Sequence, residues 1–250
     1  EFGILKTNET KVITSFIEKS AKEILPHWES DTGPEMQTQG RNYLASMGIY
    51  VFNRSLLFDE LQNEYKEAKD FGKEIIPQSI HKHKVISYQY DGYWTDIGNI
   101  YSFFEANLAL TQDIPPFNLF DNNKMVYSRA RMLPPAKISG SNLNNTLLAE
   151  GSIIKAEKIS NSVIGIRSRI GTGTIIEGCY LMGSDFYETL EEIAHNFKNN
   201  IPPVGIGDNC HLKNVIVDKG CRIGNNVIIK GGNHLADNDH AIYAVKDGIV

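Results

Sequence analysis

The spacing of apolar side chains divides the chain into two regions. Up to about residue 125, apolar runs of strand length alternate with stretches of helical period, a pattern that predicts an α/β fold. From residue 138, aliphatic residues instead return at every sixth position, which neither the helical period of about 3.6 nor the strand period of about 2 explains. We therefore predict two domains, 1–125 and 138–250, joined by a linker at 126–137 whose adjacent prolines suit neither a helix nor a central strand.

The first region is predicted to contain a hairpin, a long insertion and two capped helices. Two apolar runs separated by a short polar turn form the expected hairpin, and the polar residues 20–45, which are interrupted by Pro and Gly, form a surface insertion between strands. A continuous apolar run at 47–52 is typical of a strand covered on both faces. Ser55 and Asn99 each precede a helical pattern that their side chains can cap. The predicted strands are 2–6, 12–17, 47–52 and 85–90.

The six-residue repeat of the second region predicts a triangular β-solenoid. Each short flat side is expected to be one hexapeptide with one aliphatic side chain pointing inward, and small residues are expected at the corners. Residues 185–200 interrupt the repeat and are predicted to form a helical or looped insertion. A β-sandwich with chance spacing is the alternative. The aliphatic positions in register are Ile164, Ile170, Ile176 and Met182, then Val217, Ile223 and Ile229, with the shorter pairs Leu148–Ile154 and Ile206–Leu212.

Composition and charge exclude several classes of protein. The 250 residues are 41% hydrophobic and 22% charged, with a mean hydropathy of −0.28, and no run approaches the roughly 18 apolar residues of a membrane span. Thirty acidic residues against 25 basic ones give a net charge of −5 without a basic block, which disfavours nucleic-acid binding. Cys179, Cys210 and Cys221 are too few and too far apart for a disulfide framework or a Cys-x-x-Cys zinc site, so we expect a reduced, cytoplasmic compartment.

Two short segments carry residue types suited to a sugar phosphate. Glu18 and Lys19 follow an apolar strand, where the ammonium group can donate to a phosphate and the carboxylate can accept from sugar hydroxyls. The alternative is a solvated ion pair at the point where the strand leaves the sheet. Ser46 lies just before Gly48, which permits close approach of the backbone, so its hydroxyl can contact a ligand oxygen. The alternative is a structural serine at the start of a strand.

A third segment, Tyr93-Trp94-Thr95-Asp96-Ile97-Gly98, combines two aromatic residues with a carboxylate. The rings can stack on a sugar, and Asp96 can hold Mg²⁺, which prefers one or two carboxylates together with substrate phosphates. Alternatively, the rings form the edge of a core and Asp96 caps the following helix. Asp70-Phe71-Gly72 spells a magnesium motif of protein kinases, but no His-Arg-Asp catalytic loop precedes it. We therefore interpret Asp70 as a helix-end or packing residue.

The combination of these segments, in this order ahead of a hexapeptide solenoid, resembles the glucose-1-phosphate adenylyltransferases, and more their plant and cyanobacterial branch than the enteric bacterial one. The resemblance covers nearly the whole chain. Each motif is weak singly, whereas together they are specific. The segments that carry it are Glu18-Lys19, 46–51, Asp70-Phe71-Gly72, 91–98, the Leu-Pro-Pro-Ala-Lys segment 133–137, 181–189 and Ile216-Val217-Asp218-Lys219.

The resemblance implies a Rossmann-like nucleotidyltransferase domain followed by a left-handed parallel β-helix of hexapeptide repeats, usually in a homo- or heterotetramer. The implied enzyme joins ATP and glucose 1-phosphate into ADP-glucose and pyrophosphate with Mg²⁺, for glycogen- or starch-type glucan synthesis, in the cytoplasm or, in a plant, the plastid. The implied site residues are Lys19 at the sugar phosphate, Glu18 at the sugar, Ser46 at the same sugar phosphate, Asp96 as a catalytic metal-binding carboxylate, and Arg131 and Lys219 in a regulatory anion site.

The chain departs from the family pattern in two respects. Ser20 follows Glu18-Lys19 where the family commonly has Pro, which affects the stiffness of the loop more than its chemistry. The family's Gly-rich phosphate loop and partner metal Asp would precede Glu1, and a further regulatory Lys would follow Val250. We therefore expect the chain to be a fragment that holds the sugar-phosphate half of an active site and is inactive alone.

Three alternative functions stay open at this point. A related enzyme with another sugar or base, such as a mannose-1-phosphate guanylyltransferase, would share the same motifs. A hexapeptide acyltransferase would need a general-base histidine on a coil, for which His211 is the candidate within the registered repeats, and would leave the α/β half unexplained. A non-catalytic regulatory subunit would be expected to have lost active-site residues, and Glu18, Lys19, Ser46 and Asp96 are all present.

Overall fold

The computed structural model describes residues 2–18 and 22–250, and the chain divides into two units between Gly92 and Tyr93. Among these residues, every helix falls short of the length and apolarity that a bilayer crossing requires.

The first unit is built on a three-stranded antiparallel sheet in the order β2-β1-β3. The predicted hairpin is confirmed: β1 (Ile4–Thr7) and β2 (Ile13–Ile17) pair along their length. On its other edge, β1 pairs with the two-residue strand β3 (Leu44–Ala45). Of the insertion predicted at 20–45, the described part before β3 contains a 3₁₀ helix (Lys22–Trp28) and α1 (Pro34–Thr38), while residues 20 and 21 lie outside the described residues.

The buried strand predicted at 47–52 is wrong. Val51 is 97% exposed and Ile49 72% exposed, and neither belongs to a strand. Gly48 explains the difference, because its φ of 69° turns the chain away from the sheet immediately after β3. The apolar side chains that follow therefore leave the sheet instead of extending it.

Helices follow this turn, and their caps explain where they begin. The side chain of Asn53 accepts from the backbone of Ser55, so Asn53 and not the predicted Ser55 caps α2 (Arg54–Gln62). Asp70 caps a π-helical turn (Phe71–Ile75), which continues into α3 (Ile76–Lys82). Helix α3 packs against β2. Of the strand predicted at 85–90, only a single antiparallel bridge forms, between Ile86 and Val12.

The second unit opens with the helix predicted after Asn99. The Asn99 side chain accepts from the backbone N–H of Ser102 at 2.8 Å and caps α4 (Ile100–Ala109). The Phe103 ring of α4 meets Tyr180 of the solenoid edge-on, with ring centroids 5.3 Å apart. Helix α4 therefore lies in the same unit as the solenoid. The domain boundaries predicted from sequence, 1–125, 126–137 and 138–250, stay a prediction.

The predicted solenoid is confirmed, and its parallel strands form three faces. Face A contains β4 (Lys137–Ile138), β6 (Ile153–Ile154), β8 (Arg169–Ile170), β11 (Gly205–Ile206) and β14 (Arg222–Ile223). Two bent strands, β5 (Asn142–Leu148) and β7 (Lys158–Ile164), run through faces B and C. Face B also contains β9 (Ile175–Glu177), β12 (His211–Lys213) and β15 (Ile228–Lys230), and face C contains β10 (Tyr180–Leu181) and β13 (Ile216–Val217). The short hairpin β16 (Asn238–Asp239) and β17 (Ala244–Val245) follows near the C-terminus.

Aliphatic side chains of successive coils stand in register along each face, and together they form most of the core. Because each coil is covered only by its neighbours, these columns bury apolar area that no single coil could bury alone. The paired positions are Ile138, Ile154, Ile170, Ile206 and Ile223 on face A, Leu143, Ile159, Ile176, Leu212 and Ile229 on face B, and Leu148, Ile164, Leu181 and Val217 on face C.

One position of the predicted register is wrong. Leu181, and not Met182, occupies the inward column of face C, with Leu181 3% exposed and Met182 half-buried. In this coil the corner between faces A and B takes six positions, from Ile170 to Ile176, whereas the corner between faces B and C takes five, so the next inward residue after Ile176 is Leu181. A strict period of six therefore overshoots by one residue at this corner.

Buried hydroxyl groups join neighbouring coils at the corners. Thr174 is fully buried, and its Oγ1 donates to the carbonyl of Gly207 at 2.8 Å and accepts from the backbone N–H of Cys210 at 3.0 Å. Such side chains satisfy backbone groups that the corners remove from the strand ladders. Ser162 Oγ likewise accepts from the backbone N–H of Cys179 at 3.0 Å, and burial raises the pKa of the Cys179 thiol to about 12, which keeps it in the neutral form.

The predicted insertion at 185–200 is confirmed as a helix held by a buried carboxylate. Thr189 caps α5 (Leu190–Lys198). The Glu188 carboxylate, 3% exposed, lies 2.7 Å from the Arg222 guanidinium and accepts from the backbone N–H of Val204 at 2.7 Å. Burial by itself raises the pKa of Glu188, but these donors together hold it below its usual range. The insertion is thereby tied to the two coils that follow it.

We expect removal of an inward column residue to destabilise the solenoid strongly. Ile176 is fully buried, so Ile176→Ala leaves a cavity and should lower the free energy of unfolding by about 2–5 kcal/mol. The matched control is Ile228→Ala on the same face, since Ile228 is 68% exposed and its truncation should change the value by less than about 0.5 kcal/mol. Urea unfolding measures both. Equal losses would contradict the assignment of Ile176 to the core column.

Candidate functional site

The Glu18 carboxylate lies between two glycines of the first unit. Glu18 follows β2 directly, and a methyl group on Gly3 would lie 2.5 Å from Glu18 Oε2, while one on Gly72 would lie 3.0 Å away. A side chain at either position would therefore displace the carboxylate. None of the described residues donates a hydrogen bond to it.

Ser46 lies next to the same glycine. Its backbone N–H donates to the carbonyl of Gly3 at 2.7 Å, and its Oγ lies 3.2 Å from the hydroxyl of Tyr50. The Tyr50 ring in turn stacks on Phe71, with centroids 6.4 Å apart and planes inclined by 21°. Phe71 is followed by Gly72, which borders the Glu18 carboxylate. The contacts therefore lead from Glu18 through Ser46, Tyr50 and Phe71 back to Glu18. We call Glu18, Ser46, Tyr50 and Phe71 the Glu18 cluster.

The Glu18 cluster places two of the predicted site residues, Glu18 and Ser46, close together and brings beside them two residues, Tyr50 and Phe71, to which sequence reasoning gave no role. Tyr50 stands four residues after Ser46, and Phe71 is the middle residue of a motif that the resemblance contained, but neither was assigned a role. Asp70 is confirmed as a helix-end residue, because its Oδ1 accepts from the Lys73 backbone at 2.9 Å. Lys19, predicted at the sugar phosphate, lies outside the described residues.

Asp96 belongs to the second unit and is exposed. The alternative interpretation of Asp96 as a helix cap is wrong, because Asn99 performs that role for α4. Tyr93 and Trp94 are 44% and 37% exposed, so both rings present surface to solvent.

The Asp96 carboxylate suits a hard divalent cation whose other ligands are phosphate and water oxygens. The described residues give its carboxylate no hydrogen-bond or ion-pair partner, and a methyl group on Gly98 would lie 2.9 Å from Oδ2. Nowhere in the described ranges do three or more His, Cys, Asp or Glu side chains come together as a metal cage. Mg²⁺ commonly binds with one or two carboxylates plus phosphate and water oxygens, which a single free carboxylate can serve.

Of the two residues predicted for an anion site, Lys219 contacts Asp185 in the second unit, and Arg131 contributes positive charge to the same carboxylate. Lys219 Nζ lies 3.0 and 3.1 Å from the two oxygens of Asp185. The hydrogen bond from Lys219 lowers the pKa of the Asp185 carboxyl, and the positive charges of Lys219, Arg131 and Arg167 lower it further. Lys219 thus contacts Asp185 directly, Arg131 adds positive charge to its surroundings, and so does Arg167, which sequence reasoning missed.

Contacts around Gly151 position Arg167 and the chain segment that carries Arg131. The guanidinium of Arg167 stacks over the Tyr187 ring, 5.4 Å from its centroid, and the Tyr187 hydroxyl donates to the Gly151 carbonyl at 2.8 Å. The Gly151 backbone N–H donates to the carbonyl of Pro134 at 2.7 Å. Since Arg131 lies three residues before Pro134, this hydrogen bond anchors its segment to the solenoid.

His211, the candidate base of an acyltransferase, takes part in an ion-pair network on face B. Its Nε2 lies 3.2 Å from Glu177 Oε2, while Lys158 Nζ lies 2.9 Å from the other carboxylate oxygen. Hydrogen bonds from Lys158 and then from His211 lower the pKa of Glu177. The contacts of His211 thus link two neighbouring coils.

Two family models match the chain in order. The model of the nucleotidyl transferase family matches residues 1–113, and that of the GLGC left-handed parallel beta-helix domain matches residues 131–250. The predicted fold class is therefore confirmed as a nucleotidyltransferase domain followed by a left-handed β-helix. The first match also supports an enzyme of nucleotidyl transfer, and it accounts for the α/β half that an acyltransferase with His211 as base would leave unexplained.

The contact between Lys219 and Asp185 predicts a titration shift. Lys219→Ala removes the hydrogen bond and the nearest positive charge, so the pKa of the Asp185 carboxyl should rise toward its ordinary value of 3.8. Carboxyl ¹³C NMR of Asp-labelled protein, followed through an acid titration, measures the change. Lys246→Ala is the control, since it breaks the comparable exposed pair with Asp239 and should leave the Asp185 titration unchanged. An unaltered pKa in Lys219→Ala would contradict the pairing.

Proposed function

We propose that this chain, whose domain order matches that of the glucose-1-phosphate adenylyltransferases, belongs to an enzyme that makes ADP-glucose and pyrophosphate from ATP and glucose 1-phosphate. The observation that carries the proposal is the presence of a nucleotidyl transferase domain and a GLGC β-helix on one chain. The product would serve glycogen- or starch-type glucan synthesis. A homo- or heterotetramer in the cytoplasm or plastid stays a prediction of the resemblance.

In this proposal the Glu18 cluster binds the sugar phosphate. The Glu18 carboxylate, which lacks a donor among the described residues, accepts from sugar hydroxyls. Ser46 Oγ donates to the phosphate, with Tyr50 orienting the hydroxyl from 3.2 Å. The stacked rings of Tyr50 and Phe71 supply an apolar face beside these polar groups. Lys19, adjacent in sequence to Glu18, adds a positive charge at the phosphate.

The proposed reaction needs placement and charge neutralisation more than proton transfer. An anionic oxygen of glucose 1-phosphate attacks the α-phosphorus of ATP, and the bond to the β-phosphate oxygen breaks, with its electron pair leaving on pyrophosphate. Because the attacking oxygen is already ionised, no side chain must remove a proton. Residues that fix the sugar phosphate in line with the breaking bond therefore supply the catalytic advantage.

Asp96 is the residue of this chain proposed to hold Mg²⁺. When bound, the metal neutralises charge on the phosphate oxygens. Asp96 suits this role because its carboxylate is exposed, free of described protein partners and bordered by a glycine. Its part in the reaction is to supply a carboxylate oxygen as a ligand for Mg²⁺.

Arg131 and Lys219 are proposed to form a regulatory site for a small phosphorylated anion. The support is the contact of Lys219 with the Asp185 carboxylate and the positive charge that Arg131 adds there, since a position where cations act on one anionic group can also take a ligand of the same charge. The site lies in the solenoid unit and shares no residue with the Glu18 cluster.

Substrate choice tests the proposal directly. We expect the full-length gene product to release pyrophosphate from ATP and glucose 1-phosphate with Mg²⁺, and to do so at least about a hundredfold faster, by kcat/KM, than from GTP and mannose 1-phosphate. A coupled pyrophosphate assay measures both reactions. Release with GTP and mannose 1-phosphate, but not with ATP and glucose 1-phosphate, would favour a mannose-1-phosphate guanylyltransferase. No release with any pair would favour a regulatory subunit.

Removal of the Glu18 charge tests the Glu18 cluster. Glu18→Gln loses charge-assisted hydrogen bonds worth about 1.5–3 kcal/mol, so the KM for glucose 1-phosphate should rise about 10- to 100-fold while the KM for ATP changes little. Lys19→Ala should likewise act mainly on glucose 1-phosphate. Glu67→Gln, on an exposed position of the same unit, is the control and should leave both values unchanged. An unchanged KM for glucose 1-phosphate in Glu18→Gln would remove Glu18 from the site.

A further inference from the structure

The Asp185 carboxylate pairs with Lys219 of the anion site, and Arg167 lies beside it at the carbonyl of Ser184. Lys219 holds both oxygens of Asp185, at 3.0 and 3.1 Å. We propose that Asp185 is a built-in counter-ion of this site, that a phosphorylated small molecule binds by displacing it from Lys219, and that Arg167 is a third cationic ligand of the incoming phosphate. This inference rests on the anion site proposed for Arg131 and Lys219.

The ion pair between Lys219 and Asp185 is exposed enough for a dissolved anion to replace Asp185. The side chains of Lys219 and Asp185 are 50% and 52% exposed, so water and dissolved anions reach both. Ion pairs with this exposure contribute little to stability, because solvent screens the charges and two side chains lose freedom. The backbone beside Lys219 is fixed independently, since the N–H of Gly220 donates to the carbonyl of Gly183 at 3.0 Å. Lys219 can therefore exchange its partner while the coil stays intact.

Arg167 differs from Lys219 because its head group is already held. Its guanidinium stacks on Tyr187 and lies 3.4 Å from the carbonyl of Ser184, which is the residue before Asp185. A guanidinium held in this way presents its remaining N–H groups in a fixed fork, which matches phosphate geometry. The carbonyl of Ser184 accepts from one end of the guanidinium, and the remaining N–H groups can donate to an anion that replaces Asp185.

Charge favours a phosphate over the carboxylate in this exchange. Asp185 brings one negative charge to three cations, whereas a phosphate brings up to two charges and more acceptor oxygens. While Asp185 stays in place, however, its carboxylate repels the incoming anion and occupies Lys219. Asp185 therefore lowers the affinity of the site for anions and keeps Lys219 paired when no ligand is present.

Neutralising Asp185 should increase the affinity of the site for inorganic phosphate. In Asp185→Asn the side chain keeps its size but loses its charge, so the Kd for inorganic phosphate at the site should fall about fivefold, the factor expected for an exposed ion pair near the upper end of its range. Phosphate binding to the full-length protein is measured by isothermal titration calorimetry, and Lys219→Ala identifies the part of the signal that belongs to this site. Arg167→Gln should raise the Kd by a comparable factor.

A matched control separates a local effect from a change in net charge. Asp239→Asn removes the same charge from another exposed Lys–Asp pair of the solenoid unit, with Lys246, and should leave phosphate affinity unchanged. Equal tightening in Asp185→Asn and Asp239→Asn, or no tightening in Asp185→Asn, would overturn the counter-ion role of Asp185. An unchanged Kd in Arg167→Gln would remove Arg167 from the site. Absence of any phosphate signal that depends on Lys219 would overturn the proposed anion site itself.

Discussion

The solenoid depends on one constraint: an inward side chain is buried only if the coils above and below present an apolar side chain in the same register. Ile176 meets this requirement through Ile159 on one side and Leu212 on the other, and it is fully buried as a result. A shift of one residue in any coil would turn an aliphatic residue out and a polar one in. The constraint explains why the five-residue corner between faces B and C recurs from coil to coil, and why the interruption at 185–200 leaves the register on both sides intact.

The same constraint brings distant residues to one place. Arg167, Asp185 and Lys219 come from different parts of the chain, yet strict stacking sets the position of each coil along the solenoid axis. Glu188 adds to this by tying the insertion to Arg222 of a later coil. A site assembled on such a frame inherits its rigidity, so the exchange of ion-pair partners proposed for Lys219 requires motion of side chains and not of the coils.

Sequence periodicity predicted the parts of the fold that local rules decide. The hairpin, the cap at Asn99 and most of the inward columns follow from alternation, capping and repeat spacing. The apolar run at 47–52 was misassigned because hydrophobicity alone cannot show that Gly48 turns the chain out of the sheet, and Met182 because a fixed period cannot show a shorter corner. Ser46 and Glu18 were identified as candidates, but their shared neighbour Gly3 is a tertiary contact. Tyr50, Phe71 and Arg167 were missed for the same reason, since a ring or a guanidinium acquires its role only from what lies beside it.

The number of protein donors around each carboxylate separates structural roles from binding roles. Glu188 is buried and accepts from a guanidinium and from backbone and amide N–H groups, so its charge is already compensated and it has nothing to offer a ligand. Glu18 and Asp96 have no donor among the described residues, so a carboxylate at either position gains from a ligand hydroxyl or a cation. Asp185 stands between these cases, because its donor is a single exposed lysine that can be lost to a competitor. The structure thus ties Glu188 into the fold, and the same criterion supports the ligand-binding roles proposed for Glu18 and Asp96 and the displaceable counter-ion proposed at Asp185.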